Sequence, residues 1–253
     1  MIFYLGTHRP NWLEKTDVPL CVSRNTLKDR KTMPRALGPW MLDSAAFTEI
    51  ATHGEWTITS QQYAAEVDRI ILQTGNCRMV APQDWMCEPS MLAKTGLTVE
   101  EHQHRTVRNF EDLRYALGDI VFPVLQGWER DDYLRHWEMY ERWHFPLEHE
   151  PVVGLGSVCR RWSDKEIGTI VHALQPLKLH GFGIRGEALK NLAPLLKSAD
   201  SMAWSYNGRH NKHPGCTHTA KNCANCLYYA LLWREERLID IDHQQRLEIE
   251  CAA

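Results

Sequence analysis

The sequence predicts an α/β fold in which eight parallel strands and their helices form a (β/α)8, TIM-like barrel. Three observations carry that expectation. Short apolar runs of strand length recur eight times along the chain, and most are separated by amphipathic stretches of helical period. The length of 253 residues matches one barrel of about 250 residues. Polar residues and glycines recur at the C-terminal ends of the runs, where a parallel barrel builds its sites. An open doubly wound sheet is the competing arrangement, because closure leaves no mark in the pattern.

In order, the runs fall at Ile2–Leu5, Leu20–Ser23, Trp40–Asp43, Arg78–Ala81, Ile120–Gln126, Val152–Leu155, Lys178–Ile184 and Ala199–Trp204. The helical stretches are clearest after the third run. Thr59 caps a helix reaching Leu72, and Thr98 caps Val99–Leu117, with Glu101 at the third position for a capping box. Further helices are expected over Asp131–Trp143, Ser163–Leu174 and Glu187–Leu196, with a last one from about Cys223 to Arg237. The polar tail from Asp240 to Ala253 reads as loosely held. No repeat or long linker divides the chain, so residues 1–253 read as one catalytic barrel carrying a zinc-binding segment at 209–237.

Composition narrows the function. A net charge of −3 argues against wholesale coating of nucleic acid and leaves room for a local basic groove. Of eight cysteines only three cluster, which suits reduced thiols in a cytoplasm better than a disulfide framework. No apolar run has the length of a signal peptide core or a membrane span, so a soluble protein is expected. The ten tryptophans fit core packing first and base stacking second.

The densest chemistry lies between Ala199 and Cys226. Cys216, His218, Cys223 and Cys226 supply a complete tetrahedral donor set for zinc within eleven positions. A full set leaves no position for water, so the zinc would be structural. The alternative is a group of ordinary thiols at a helix start. Upstream, Asp43, Asp84, Gln126, the Gly154–Gly156 turn, the Gly181–Gly183 turn and Asp200 each follow or end a strand, and in a barrel they gather at one mouth. A single such Asp is more often a helix cap or turn former, and a lone Gly-x-Gly is usually a tight turn. Together they form a set: paired carboxylates break glycosidic bonds, and a third acid with an amide and backbone N–H groups can read a purine edge.

These residues resemble those of the tRNA-guanine transglycosylases. Asp43-Ser44-Ala45-Ala46-Phe47 is similar to that family's Asp-Ser-Gly-Gly-Phe. Pro82 to Pro89 is similar to its Asp-Glu-Cys-x-Pro segment, and Val124-Leu125-Gln126-Gly127 to its Val-Gln-Gly. Gly154-Leu155-Gly156 resembles its Gly-Gly-Leu turn, and Asp200-Ser201 stands where it carries an aspartate nucleophile before a zinc subdomain. The series runs from about Trp40 to Cys226, and the short chain is closer to the bacterial and phage branch that inserts 7-deazaguanines into DNA.

That resemblance implies base exchange on a flipped-out nucleotide. Asp200 would be the nucleophile and Asp43 the proton shuttle. Ser44, Phe47, Asp84, Gln126, Gly127, Gly154, Leu155 and Gly156 would hold the base. Arg209, Lys212, Arg160 and Arg161 would meet phosphates. The implied partners are DNA, or alternatively tRNA, and a free 7-deazaguanine base, inside a bacterial or phage-infected cell.

Three departures stand out. Ala45-Ala46 replaces Gly-Gly, leaving less room beside Asp43. The family's zinc set includes a distant histidine, which makes His243 the competitor of His218. Aligning Arg209 with the family's Thr-Arg would put Ala203 at the nucleophile position; the register that keeps an acid there selects Asp200. A non-catalytic, zinc-stabilised nucleic-acid binder would need neither Asp43 nor Asp200. A metal hydrolase would need ligands at the mouth, and no His-x-His follows a predicted strand.

Overall fold

A computed structural model describes residues 1–159, 164–210 and 212–252, with backbone only for 245–252. Eight parallel strands form one curled sheet: β1 (Ile2–Thr7), β2 (Leu20–Ser23), β3 (Trp40–Asp43), β4 (Cys77–Val80), β5 (Val124–Leu125), β6 (Val153–Leu155), β7 (Leu179–Gly181) and β8 (Leu196–Ser201). Their spatial order is β4-β3-β2-β1-β8-β7-β6-β5. The two outer strands approach each other where Val80 bridges in parallel to Val121 and the Phe122 N–H donates to the Val80 carbonyl at 3.3 Å. The arrangement is consistent with a TIM-like barrel.

Alternation along the strands sorts the side chains into two layers. Phe3, Leu5, Val22, Leu42, Val80, Leu125, Leu155, Leu179 and Ala199 pack outward into the main core, against the helices. Tyr4, Cys21, Met41, Ala81, Phe122, Val124 and Val152 point inward and form a second cluster, with Met79 and Phe182 against it. Asp43, Gln126, Gly156, His180 and Asp200 fall on this inward parity, toward the C-terminal mouth.

The helices are α1 (Ala46–His53), α2 (Ser60–Thr74), α3 (Pro89–Thr95), α4 (Val99–Leu117), α5 (Arg130–Arg142), α6 (Asp164–Ala173), α7 (Gly186–Leu192), α8 (Ala203–His210) and α9 (Leu227–Ala252). Thr59 closes a full capping box with Gln62, whereas Thr98 makes only the half that accepts from the Glu101 N–H. The first two crossovers carry single 3-10 turns, Pro10–Glu14 and Arg24–Thr26, in place of helices. No described helix is long and apolar enough to cross a membrane.

Several boundaries differ from the sequence reading for identifiable reasons. The fifth strand shrinks from Ile120–Gln126 to two residues because Pro123 lacks the N–H a ladder needs. The seventh ends at Gly181 because Gly183, at φ 62°, turns the chain. The eighth lies earlier than Ala199–Trp204. Ser201 Oγ accepts from the Ala203 N–H at 3.3 Å, and the chain enters α8 there. The terminal helix starts at Leu227 rather than Cys223 and continues to Ala252, so the tail read as loosely held is helical.

Candidate active site

The segment that carries Asp84 has no regular structure, yet Ala81 through Glu88 are all buried. Buried backbone groups need partners, and side chains provide them. The Tyr63 hydroxyl donates to Ala81 O at 2.7 Å, Asn109 Nδ2 to Gln83 O at 2.7 Å and Trp56 Nε1 to Asp84 O at 3.1 Å. The Trp85 N–H donates to Thr106 Oγ1 at 2.8 Å, and the Cys87 N–H to Ser157 Oγ at 2.9 Å. Side chains thus take the part that ladder partners play in a strand.

Its acid meets residues from two other strand ends. Ser44 Oγ donates to Asp84 Oδ1 at 2.9 Å, and Gln126 Nε2 donates to Asp84 Oδ2 at 2.5 Å. Gln126 is held at every polar atom. Its Oε1 accepts from Ser157 Oγ at 2.7 Å, its N–H donates to His136 Nδ1 at 2.8 Å, and its carbonyl accepts from Gln103 Nε2 at 2.7 Å. Burial pushes His136 down to about 3, so the ring is neutral and can accept that N–H. A Cβ on Gly156 would stand 2.2 Å from Gln126 Nε2, which explains glycine there.

A cavity of about 280 Å³ opens over this group. Asp43, Ser44, Phe47, Asp84, Gln126 and Gly156 line it, together with Ala46, Met86, Glu88, Ser157, Cys159 and Phe182. Six of the residues expected at the site therefore share one wall. Three others are placed elsewhere: Gly127 faces Asp132 and Tyr133 of α5, Gly154 packs against Phe182, Val124 and Phe122 inside the barrel, and the Leu155 side chain lies in the outer core. Glu88 and Phe182 lie inside quoted segments without having been assigned a role, and Ser157 directly follows the Gly154–Gly156 turn.

Asp200 stands on β8 beside the cavity, 13% exposed, and accepts from the Gly183 N–H at 3.0 Å. Ala203, the rival nucleophile position, opens α8 and carries no acid. The buried Cys21 thiol is pushed well up by burial and by both Asp200 and Asp43, so it lies within the field of both acids. Burial and the Asp200 charge raise Asp43 to about 6, against hydrogen bonds from the Ala45 N–H and the Ser23 side chain. Asp84 rises to about 7, chiefly by burial, with Asp43 adding to it and Ser44 and Gln126 opposing.

Both acids bind their proton more tightly folded than unfolded. The stability this supplies is complete below about pH 4 and is lost as pH rises through about 6 and 7. Urea unfolding should show stability falling from about pH 4 to about pH 7, by up to roughly 1.4 kcal/mol per pH unit for one proton. Asp84→Asn should flatten its share of that slope. An equal slope in wild type and variant would contradict the raised Asp84 pKa.

Two strained residues frame the cavity. Ala45 has φ 65° and Ser157 φ 54°, in the left-handed region. Ala45 is where the resembling motif has glycine; the conformation persists although alanine costs roughly 1 kcal/mol there. Such strain tends to gather at functional sites.

The cysteine cluster forms as the spacing implied. Cys216, His218, Cys223 and Cys226 present ligand atoms within 4.8 Å of one another. Cys223 Sγ lies 3.5 Å from Cys216 Sγ and 3.5 Å from His218 Nε2, and Cys216 Sγ lies 3.6 Å from Cys226 Sγ. Tetrahedral zinc, with Zn–S of about 2.3 Å, needs edges of about 3.8 Å, so the residues fit a metal ion. The N–H groups of His213 and Tyr229 point at Cys223 and Cys226 sulfurs, an arrangement that favours thiolates. His243 is exposed on α9 and outside the group. Arg209 is exposed on α8, Lys212 donates to the His218 carbonyl, and Arg160 and Arg161 lie outside the described residues.

Three acids and a clamped glutamine at the C-terminal mouth of parallel strands define an α/β barrel-type protein with a carboxylate-lined cavity. The chain belongs to the family DpdA, DeoxyPurine in DNA protein A, whose model matches residues 1–251. That description ties the family to DNA modification. No curated protein matches the chain. Among solved structures, oxaloacetate acetylhydrolase in complex with the product oxalate is similar at a TM-score of 0.52 and 12% identity, over 100% of this chain and 92% of that one. At that identity the likeness is one of fold.

Proposed function

We propose that this chain exchanges guanine in DNA for a 7-deazaguanine base through a covalent aspartyl–nucleoside intermediate. The observation that carries the reading is that Asp43 and Asp84 line one cavity while Asp200, on β8, is close enough to raise Asp43 by its charge, with family membership pointing to DNA as substrate. Asp200 attacks the anomeric carbon as the glycosidic bond breaks and its electron pair passes to the departing purine. Asp43, raised to about 6, suits general acid–base work near neutral pH: it protonates the leaving guanine and then deprotonates the incoming base. Asp84, Gln126 and the Gly156 turn hold the base edge, with Ser44 and Phe47 on the same wall.

A zinc ion on Cys216, His218, Cys223 and Cys226 would pin segment 209–237, contributing folding energy and no chemistry. Arg209 and Lys212, with Arg160 and Arg161, supply positive charge for phosphates.

Nucleoside mass spectrometry of DNA and tRNA from cells expressing the protein beside a 7-deazaguanine pathway tests this. The expected result is a 7-deazaguanine deoxynucleoside in DNA. Modification confined to tRNA would overturn the substrate class, and modification of neither would overturn the activity.

A further inference from the structure

His180 lies on β7 at the inward parity, with no side-chain exposure. Its ring sits 4.7 Å from the Phe182 ring and about 6 Å from those of Tyr4 and Phe122, all edge-on. An imidazole in such apolar surroundings must place both nitrogens on partners. Nδ1 has one, Ser198 Oγ at 2.8 Å, across the β7–β8 pairing that sets His180 beside Ser198. Nε2 is buried, makes no hydrogen bond, and lies 3.4 Å from Asp200 Oδ1.

Among the described residues, the two polar contacts to the Asp200 carboxylate fall on the same oxygen. Oδ1 takes the Gly183 N–H at 3.0 Å and faces His180 Nε2, while among the described residues no hydrogen bond reaches Oδ2. A carboxylate only accepts, whereas a serine hydroxyl donates or accepts. The arrangement therefore calls for the proton on Nε2 and for an Nδ1 that accepts from Ser198.

We propose that His180, locked by Ser198, is a positioning residue that holds Asp200 Oδ1 and so assigns Oδ2 as the attacking atom. This rests on the base-exchange reading above. In that reaction Oδ2 forms the bond to the anomeric carbon as the bond to guanine N9 breaks, and the electron pair leaves on N9, to be protonated by Asp43. Oδ1 becomes the ester carbonyl oxygen and keeps the Gly183 and His180 donors. Catalytic hydrogen bonds are often long in a resting enzyme and tighten in the complex, which fits the 3.4 Å separation. The imidazole passes no proton. Its effect is the rotation of the carboxylate, where a misplacement of about 1 Å can cost roughly 100-fold in rate.

The test compares His180→Met, which fills the space without a donor, His180→Gln, whose amide can put an N–H near the Nε2 position, and Ser198→Ala. His180→Met should lower kcat for base exchange by roughly 100-fold with little change in KM for the free base. His180→Gln should recover most of that loss, and Ser198→Ala should fall between. Wild-type kcat in His180→Met, a loss confined to KM, or a His180→Gln as slow as His180→Met would overturn the proposal.

Nitrogen-15 NMR of the histidine rings supplies a readout that needs no turnover and no folded His180 variant. The wild-type His180 ring should show the Nε2–H form, with an Nε2 shift that moves in Asp200→Asn and stays in Asp43→Asn. An Nδ1–H ring, or a shift blind to Asp200→Asn, would overturn the proposal even if base exchange is confirmed. Should wild type show no base exchange while the ring behaves as expected, the activity falls and the His180–Asp200 contact stands.

Discussion

The wild-type protein should form a denaturant-resistant adduct with guanine-containing DNA, and Asp200→Asn should abolish it and lower base exchange by roughly 10^4- to 10^6-fold, the scale of losing a covalent nucleophile. The neutral amide keeps the shape of the side chain, and its oxygen can still take the Gly183 N–H, so the fold should be unaffected. Asp43→Asn should differ, binding DNA normally while losing proton transfer in both half-reactions. Its carboxylate lies close enough to feel the Asp200 charge, so the two variants separate bond formation from proton movement. Trapping the adduct, digesting it and mapping the labelled peptide decides the matter. A label on the peptide with Asp43 or Asp84, or an undiminished adduct from Asp200→Asn, would overturn the assignment. An adduct with tRNA but none with DNA would keep the chemistry and change the substrate.

Loss of the metal should have the second large effect. Cys223 is fully buried, and its sulfur lies 3.5 Å from both the Cys216 sulfur and the His218 Nε2. Its backbone is tied to α8: the Cys223 N–H donates to the Gly208 carbonyl at 2.8 Å, and a Cβ at Gly208 would strike Cys223 backbone at 2.8 Å. The metal group, α8 and the strand end carrying Asp200 are therefore joined mechanically. Pure protein should contain one zinc, and Cys223→Ala or chelation should remove it and lower Tm by on the order of 10 °C, several kcal/mol at this chain length. Base exchange should fall with it as α8 loosens. Metal analysis showing no zinc would defeat this, and retention in His218→Ala with loss in His243→Ala would reassign the fourth ligand.

Much of this molecule was legible in its sequence because the information is local. A strand such as Leu20–Ser23 or Trp40–Asp43 announces itself by apolar residues over a few positions, and the caps Thr59 and Thr98 by residues three apart. The Cys/His cluster was equally readable, since four donors within eleven residues need only a short loop to meet. Elements whose limits depend on distant partners were not. Pro123 cut β5 to two residues, and α9 ran on past the polar tail's own pattern.

The sequence placed Asp43, Asp84 and Gln126 at one mouth, and the tertiary structure decided which of the expected residues touch one another there. Asp84, Gln126 and Ser157 come from three strand ends, 42 residues apart for the first pair and 31 for the second. Only the register of the sheet sets them within hydrogen-bond distance. The same register turns Leu155 away from the cavity that Gly156 lines, because one step along a strand reverses a side chain. It also carries His180 to Ser198 and Asp200, a contact no motif encodes, since its geometry belongs to two neighbouring strands and to neither sequence alone.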